Sequence, residues 1–505
     1  MRALIGLAFA VTMLLPTVCS AIESVVVPYP RVPGDAKSVA FRVRVNGIPV
    51  DAAHLELNVG YAHFAFMGTV QVEIIASEPI RTFDLSPHLC KISARAEGNT
   101  LSFELSDPRK LHLTINELPR FFLFADSPES SPPQLGDPGV VDLRSLGVSS
   151  SPETVQTSAL QKAFDEVAAK RGTLYVPAGI YRCGQLNLRS DLTLFLAPGA
   201  IIKGTGRSED YPAGEFGTQQ LNLRDCRNVR ICGRGVIDGQ GRALRLSMKN
   251  ASLSRSKLIR SLRAANCVVE DVILRDSGTW GVHLIESTDL RFTNFKLISN
   301  TIHDDRTFPW EPNTDGFDPD NSSRVLIENG FISCNDDAIA VKLRYGTRRD
   351  MDDIKVRNNV IWTVKSALVI GTEVADRLLT NVEFNHNEVI HADRGISMNC
   401  YFGGTIVNPR WINNHFEFIG GNIKRMNIEI KIRDEEGKGH IRDILIKDNT
   451  FEREAENPSK LQGLDEGHEI VGVTFDNLVV AGKKRLSAKD ARIDVSRFVR
   501  GLSFK

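Results

Sequence analysis

The sequence predicts an all-β protein in which a parallel β-helix follows a smaller antiparallel β-sandwich. Residues 22–126 alternate apolar and polar side chains in short runs, which is typical of sandwich strands. Residues 138–505 instead repeat short apolar strands at intervals of 22 to 29 residues, which is typical of a solenoid. The length of 505 residues is about twice what one compact core fills, which agrees with two structural units.

Residues 1–21 have the pattern of a secretory signal peptide. Arg2 is followed by an apolar run from Ala3 to Leu15, and the small residues Ser20 and Ala21 stand at the expected cleavage point. The run is too short to span a bilayer as a helix. We therefore expect a protein that is secreted or periplasmic and has no membrane partner.

The segment 22–126 is predicted to form the β-sandwich module. Its apolar residues recur every second position and its runs are separated by Asn, Gly, Asp and Pro, as in antiparallel strands. The clearest runs are residues 40–45, 70–74, 101–105 and 111–115. The Ser- and Pro-rich stretch that follows cannot pack a core, so residues 127–137 are predicted to be a linker.

The β-helix is predicted to begin at residue 138 with a capping helix over residues 156–170. Leu160, Phe164 and Val167 recur at helical spacing there. A helix at this place covers the open end of a solenoid. The later repeats carry apolar residues two apart and then Asn or Asp, without the spacing of a leucine-rich repeat or the length of a propeller blade.

Charge and cysteine content exclude several classes of protein. Lys plus Arg and Asp plus Glu each number 62, so there is no basic field that would hold nucleic acid or an anionic membrane. The cysteines beyond the signal peptide include no CxxC pair, which argues against a zinc site. They are Cys90, Cys183, Cys226, Cys232, Cys267, Cys334 and Cys400. We expect a monomer without cofactor or metal.

Three aspartates on consecutive coils are the candidate catalytic residues. Asp315 is separated from the Asp336–Asp337 pair by 21 residues, which is one tight coil. Stacked strands lie about 4.8 Å apart, so these carboxyl groups should lie together on one face. Carboxylates that are so close cannot all ionise easily, which leaves an acid beside bases, as cleavage of a glycosidic bond requires. Turn residues or a calcium site are the alternative interpretation of the same cluster.

These motifs resemble the polygalacturonase family, glycoside hydrolase family 28. The motifs are Asn313-Thr314-Asp315-Gly316, Asn335-Asp336-Asp337 and Trp280-Gly281-Val282-His283, and residues 172–204 also resemble that family's first coil. The resemblance covers residues 138–480. It implies a right-handed β-helix and hydrolysis with inversion. It also implies that Asp336 is the general acid and that Asp315 and Asp337 activate water.

The chain departs from the family on the next two coils. The family's histidine position is Ser366, and its Arg and Lys positions are Ser397 and Asn399. Without that pair of cations, we expect weaker action on polygalacturonate than on a neutral polysaccharide. Cations that could supply the charge from shifted positions are Lys365, Arg394 and Arg433.

A second resemblance concerns the N-terminal module, where residues 118–126 are similar to the sandwich of the dextranase family, glycoside hydrolase family 49. Within the predicted groove, aromatic and polar side chains are the candidates for sugar contacts. The predicted substrate-binding residues are Trp280, His283, Asn313, Lys342, Lys365 and Ser366. Two further aromatic candidates are Trp310 and Tyr345.

The predicted function is that of a secreted glycoside hydrolase, polygalacturonase-like or dextranase-like, whose partner is a polysaccharide. A β-helical lyase or epimerase is one alternative, and it would need Lys342, Arg344 or Lys365 to neutralise a uronate carboxylate. A non-catalytic adhesin is the other alternative. An adhesin would keep its binding activity after loss of the three aspartates.

Overall fold

The structure is a computed structural model that describes residues 24–55, 58–247, 256–299, 313–344, 346–347 and 349–505. The predicted signal peptide and the groove candidates Trp310 and Tyr345 lie outside the described residues. Among the described residues, no helix is both long enough and apolar enough to cross a membrane.

The N-terminal module consists of two facing β-sheets. The first sheet contains the strands Val25–Pro28, Ala36–Lys37, Ala52–Leu55, Val59–Met67, Phe83–Ser86, Arg109–Ile115 and Arg120–Asp126. The second sheet contains the strands Phe41–Val45, Ile48–Val50, Val70–Ala76, Ala94–Glu97 and Thr100–Leu105. Alternate residues of these strands fill the core between the sheets, among them Phe64, Phe103 and Phe121. The pairs are antiparallel except for Arg120–Asp126, which runs parallel to Val59–Met67.

The rest of the chain forms a right-handed parallel β-helix with three sheets. The sheet that faces the sandwich, the sandwich-facing sheet, contains Ser151–Val155, Gly179–Cys183, Ala200–Gly204, Val236–Asp238, Ile273–Arg275, Lys296–Ser299, Phe331–Cys334, Val360–Thr363, Glu388–Ala392, His415–Ile419, Thr450–Phe451, Val479–Val480 and Lys483–Lys484. The sheet next to the aspartates, the site sheet, contains Leu186–Asn187, Gln219–Arg224, Lys257–Leu262, Val282–Ile285, Phe317–Asp320, Ile339–Leu343, Ser366–Val374, Arg394–Phe402, Met426–Gly437, Ser459–Gln462 and Ile493–Val495.

The third sheet of the β-helix contains Val140–Asp142, Thr173–Val176, Thr193–Leu196, Arg230–Gly233, Ala265–Glu270, Thr288–Thr293, Ser323–Glu328, Met351–Arg357, Leu378–Asn385, Thr405–Val407, Arg410–Ile412, His440–Lys447, Ile470–Asp476 and Val499–Phe504. The α-helices are Thr157–Ala169 and Gly241–Leu246, and short 3-10 turns cover His88–Cys90, Leu143–Leu146 and Ser208–Asp210. The predicted capping helix is confirmed, because Leu160, Phe164 and Val167 are buried against the first coil.

Asparagine shapes the turns between the third sheet and the sandwich-facing sheet. Residues such as Asn329 and Asn358 lie in the left-handed backbone region with φ near 53° and 55°, which Asn tolerates better than most residues. Directly after these positions, buried asparagines stack from coil to coil inside the β-helix. Asn387 donates to Oδ1 of Asn414 at 2.9 Å and accepts from Nδ2 of Asn359 at 3.0 Å.

The sandwich packs against the sandwich-facing sheet through aromatic side chains. Phe122 and Phe124 lie with ring centroids 4.8 Å and 5.2 Å from that of Phe331. Buried ion pairs flank this contact. Arg275 donates two hydrogen bonds to Asp35, at 2.6 and 2.7 Å, and the carboxylate of Asp126 binds Lys296 and Arg234. Apolar packing and charge pairing thus hold the two units together.

Candidate active site

The three predicted catalytic aspartates meet at the turns that enter the site sheet. Asp315 precedes Phe317–Asp320, and Asp336 and Asp337 connect Phe331–Cys334 to Ile339–Leu343. Phe317 pairs with Ile339, so the coil is 22 residues rather than 21, and Asp315 stacks under Asp337 rather than Asp336. One carboxylate oxygen of each aspartate lies within 4.8 Å of those of the other two. The predicted clustering is therefore present.

The distance between these carboxylates bears on the predicted inversion. Acid and base of an inverting glycosidase are usually about 6.5–9.5 Å apart, because a water molecule must fit between them. The closest oxygens lie no more than 4.8 Å apart in this cluster, a limit that still allows the centres of two carboxyl groups to be more than about 6.5 Å apart, so inversion stays a prediction. The coil spacing of a β-helix, about 4.8 Å, brings turn residues of adjacent coils this close.

Asp336 is held by three hydrogen-bond donors. Its Oδ2 accepts from Lys365 Nζ at 3.1 Å and from Asn313 Nδ2 at 3.2 Å, and its Oδ1 accepts from the backbone N–H of Asp337 at 2.9 Å. Burial and the carboxylate of Asp337 raise the pKa of Asp336, while the Lys365 ammonium opposes that shift. The side chain is therefore buried, oriented and poised to hold a proton.

Lys342 lies beneath the cluster between Asp315 and Asp318. Its Nζ is 3.2 Å from Oδ1 of Asp318 and 3.6 Å from Oδ2 of Asp315. Burial and the neighbouring carboxylates raise the pKa of Asp315 well above its usual value, and burial raises that of Asp318 to about 7 despite the ammonium. Side chains of the strand Phe317–Asp320 alternate between its two faces, and Asp318 lies on the face that meets Lys342. Asp318 was not among the predicted site residues.

Trp280 and His283 lie on the coil before Asp315. The ammonium of Lys342 is 3.9 Å from the Trp280 ring centroid, and the Trp280 and His283 rings meet edge to face at 4.7 Å. Burial, together with the charges of Lys257 and Lys342, keeps the pKa of His283 well below its usual value. His283 is thus a neutral, buried ring beside the cluster, and Trp280 is the more accessible of the two.

Ser366 and Asn313 orient the aspartates directly. The Ser366 side chain has no exposed surface, but its backbone N–H donates to Oδ1 of Asp337 at 2.9 Å. Asn313 is partly buried and binds Asp336, as described above. Ser366 therefore acts on Asp337 through its backbone, whereas the sequence analysis predicted a sugar contact through its side chain.

Cations reach the cluster from positions shifted relative to the family pattern. Lys365 binds Asp336, and Arg394 places Nη2 3.9 Å from Oδ1 of Asp337 while Nη1 binds Glu429 at 2.7 Å. Arg433 lies further along the site sheet, over the ring of Tyr401. The loss of the family's Arg and Lys therefore does not leave the site without positive charge.

Two groups of described side chains bring three possible metal ligands together. One is the aspartate cluster itself, and the other is Asp84, His88 and Glu417 at the sandwich contact. Lysine ammonium groups already neutralise the first group, and His88 is hydrogen-bonded to carboxylates in the second. In the second group the side chains bind one another, whereas in the first group Oδ1 of Asp315 is buried without a hydrogen-bond partner among the described residues.

Solved structures with the same fold support the architecture. The exopolygalacturonase of Thermotoga maritima is 19% identical over 74% of this chain and 93% of its own, with a TM-score of 0.55. Dex49A of Penicillium minioluteum is 12% identical over 95% of this chain and 96% of its own, with a TM-score of 0.62. Because the second match includes the N-terminal module, it extends the shared fold to nearly the whole chain.

Curated relatives match about half of this chain. A probable polygalacturonase of Vitis vinifera is 28% identical over 279 residues, which are 50% of this chain and 55% of the relative. An exopolygalacturonase of Zea mays is 28% identical over 306 residues, which are 54% of this chain and 72% of the relative. The chain thus spans about half the length of the first of these relatives.

The family model of glycosyl hydrolases family 28 matches residues 168–494. Because that match covers more than half of the chain, the protein belongs to glycosyl hydrolases family 28.

Proposed function

We propose that the protein hydrolyses a galacturonate-containing polysaccharide by acid/base catalysis with inversion of the anomeric carbon. The observation that carries this proposal is the cluster of Asp315, Asp336 and Asp337, with oxygens within 4.8 Å of one another. Family membership supplies the class of reaction, and the cluster supplies the groups that perform it.

In this mechanism, Asp336 donates a proton to the leaving glycosidic oxygen. Its raised pKa keeps the proton available, and Asn313 and Lys365 fix the orientation of the carboxyl group. Asp315 and Asp337 activate the attacking water in this mechanism. Burial and the neighbouring carboxylates raise the pKa of Asp315, and the Lys342 ammonium opposes that rise, so Lys342 supports the ionised form that a base requires. The inverting step requires one water between the acid and these two carboxylates, so that the water attacks as the leaving oxygen is protonated.

The proposed substrate follows from the positive charges beside the cluster. Lys365 and Arg394 are close enough to the aspartates to meet a carboxylate on a sugar bound there. The relatives described above are named for action on polygalacturonan. These cations weigh against the neutral sugar expected from the sequence, because that expectation depended on an absence of cations.

Secretion, the domain limits and the monomeric state are also proposals. The pattern of residues 1–21 supports export, and the change from sandwich pairing to parallel coils between Asp126 and Val140 supports a linker over residues 127–137. We propose that the mature chain acts as a monomer in the extracellular space or the periplasm.

A substrate panel tests the proposed function. We expect new reducing ends from polygalacturonate, at a kcat/KM at least tenfold above that for dextran, and no new ultraviolet absorbance. Growth of ultraviolet absorbance would indicate a lyase instead, because elimination leaves a double bond. Binding without reducing ends, unchanged by Asp336→Asn, would indicate an adhesin. A preference for dextran would restore the neutral-sugar interpretation.

A further inference from the structure

A cleft of about 670 Å³ lies between the sandwich and the β-helix, away from the aspartate cluster. Its floor is formed by turns that connect the third sheet to the sandwich-facing sheet, whereas the aspartates lie at the turns that enter the site sheet. Its walls come from residues 108–110 of the sandwich and from residues 126–130 after it. Ligand sites commonly have volumes of about 300–1,000 Å³ and commonly occur at domain interfaces.

The floor of the cleft is a row of polar side chains on consecutive coils. The row consists of Asp271, Asn294, Asn329, Asn358 and His386, each in the left-handed backbone region with φ between 50° and 70°. Coils are spaced by about 4.8 Å, so the row extends over roughly 19 Å. A row of this length suits an extended chain of several sugar units rather than a small metabolite.

Two asparagines in this row differ from their counterparts elsewhere on the β-helix. At other turns, an asparagine binds a side chain of the adjacent coil: Asn381 donates to Asp352, and Asn408 donates to Asn381, both at 2.7 Å. By contrast, neither Asn329 nor Asn358 has a side-chain hydrogen bond to another described residue. The side-chain amides of Asn329 and Asn358 therefore have donors and acceptors free for a ligand. Both residues line the cleft.

The charges of the cleft favour a neutral ligand. The three cations of the lining are already paired with carboxylates. Arg234 is bound to Asp126 at 2.6 Å and to Asp271 at 3.2 Å. Lys110 lies 4.0 Å from Asp126, and Arg109 lies 3.5 Å from Asp107. Glu129 and Glu388 add carboxylates to the lining, and these would repel a polyuronate. What remains for recognition are amides and hydroxyls, which pair well with sugar hydroxyls.

We propose that this cleft is a second carbohydrate-binding site that takes an extended neutral oligosaccharide. It would hold the protein on a neutral glycan that accompanies the acidic substrate, and it goes beyond the proposed function of the active site. The free amides of Asn329 and Asn358 would contact the hydroxyls of neighbouring sugar units.

The test uses full-length protein carrying Asp336→Asn, so that a bound glycan is not cleaved. Calorimetry would measure binding of neutral pentasaccharides of glucose, xylose, mannose, galactose and arabinose, with a galacturonate pentasaccharide as the acidic probe. We expect at least one neutral probe to bind. Adding Asn329→Ala and Asn358→Ala should weaken that binding at least tenfold, whereas the matched pair Asn381→Ala and Asn408→Ala should leave it unchanged.

Three results would overturn the proposal: no neutral probe binds, the Asn329→Ala/Asn358→Ala variant binds as well as its parent, or the galacturonate pentasaccharide competes with the neutral one. Competition would mean that the neutral probe occupies the active site. Since the readout is binding to an inactive variant, failure of the proposed catalytic function would leave this test unaffected. The same double variant with Asp336 intact should keep its activity, which verifies that it folds.

Discussion

Asp336 is the residue on which the proposed chemistry depends most. Asp336→Asn should reduce kcat by about 10²–10⁴-fold, because an amide of nearly the same shape cannot donate the leaving-group proton. Reducing-end release from polygalacturonate measures the effect. Asp289→Asn, at an exposed aspartate paired with Arg324, is the matched control and should retain full activity. Wild-type turnover in Asp336→Asn would assign the acid to another residue.

Lys365 should lower the pKa of Asp336. Its ammonium lies 3.1 Å from Oδ2 and opposes the rise in the pKa of that carboxyl group. In Lys365→Met the pKa of Asp336 should rise further, so the alkaline limb of the kcat/KM profile should move to higher pH. Lys365→Arg should restore the profile, and the exposed Lys355→Met is the control. An alkaline limb that stays at the same pH would mean that Lys365 contributes only packing and does not influence the pKa of Asp336.

At the residue scale, sequence reasoning located the aspartates but not all their partners. Asp315, Asp336 and Asp337 stand in short motifs whose spacing matches one coil, so their proximity could be predicted. Asp318 could not be assigned in the same way, because its contact with Lys342 depends on which face of the strand its side chain occupies. Arg394 was a candidate cation from the sequence, but its approach to Asp337 depends on coil register. Ser366 was predicted to contact the sugar, and its burial was not foreseen.

At the scale of elements, the buried asparagine stack stabilises the coils behind the site. Asn387 is fully buried and also donates to the carbonyl of Val356 at 2.9 Å. Asn387→Ala should lower the free energy of unfolding by about 1–3 kcal/mol for each group left unsatisfied. Denaturant titration measures the loss. The matched variant Asn381→Ala, at an exposed turn, should cost far less, and equal losses would contradict a special role for the stack.

A histidine of the sandwich contributes a pH-dependent contact to the β-helix. His88 lies 2.9 Å from Asp84, 2.9 Å from Glu452 and 3.7 Å from Glu417, and His415 binds Glu452 from the other side. Burial lowers the pKa of His88, but the hydrogen bonds to Asp84 and Glu452 outweigh burial and raise it to about 9. The stabilising contribution is therefore fully present below pH 6.5 and is lost as pH rises through 9.

The variant His88→Gln should accordingly lower the Tm most near pH 6.5, and the difference from wild type should shrink toward pH 10. Thermal unfolding across this range measures it. The exposed His440→Gln is the control and should change Tm little at any of these pH values. A difference that grows with pH would show that His88 contributes through its neutral form.

The strands and the capping helix could largely be predicted from the sequence. Which strands pair with one another was harder to predict. Period-two runs and the Leu160–Val167 spacing predicted the sandwich strands and the capping helix. The parallel pairing of Arg120–Asp126 with Val59–Met67 was not predictable, because strand order in a sandwich depends on contacts far apart in sequence. The asparagine stack had a local signal, since buried asparagines such as Asn359 and Asn414 each follow a second asparagine at the turn.

At the scale of the whole molecule, the sandwich and the β-helix share a buried contact in addition to their separate cores. Phe122 and Phe124 pack on Phe331, and Asp126 joins Lys296 across the contact. Asp126 also lines the cleft to which we assign neutral glycan binding. A module that appears in the sequence as a separate unit is therefore joined to the catalytic β-helix by an extensive buried contact.

Stereochemistry is the central claim of the mechanism, because the short carboxylate spacing alone does not determine it. Proton NMR of the nascent reducing end, recorded in the first minutes of hydrolysis before mutarotation, measures the configuration directly. The proposed roles of Asp315, Asp336 and Asp337 predict inversion, since water attacks the sugar in a single displacement. A product of retained configuration would contradict those roles, because it requires one of the three aspartates to form a covalent intermediate.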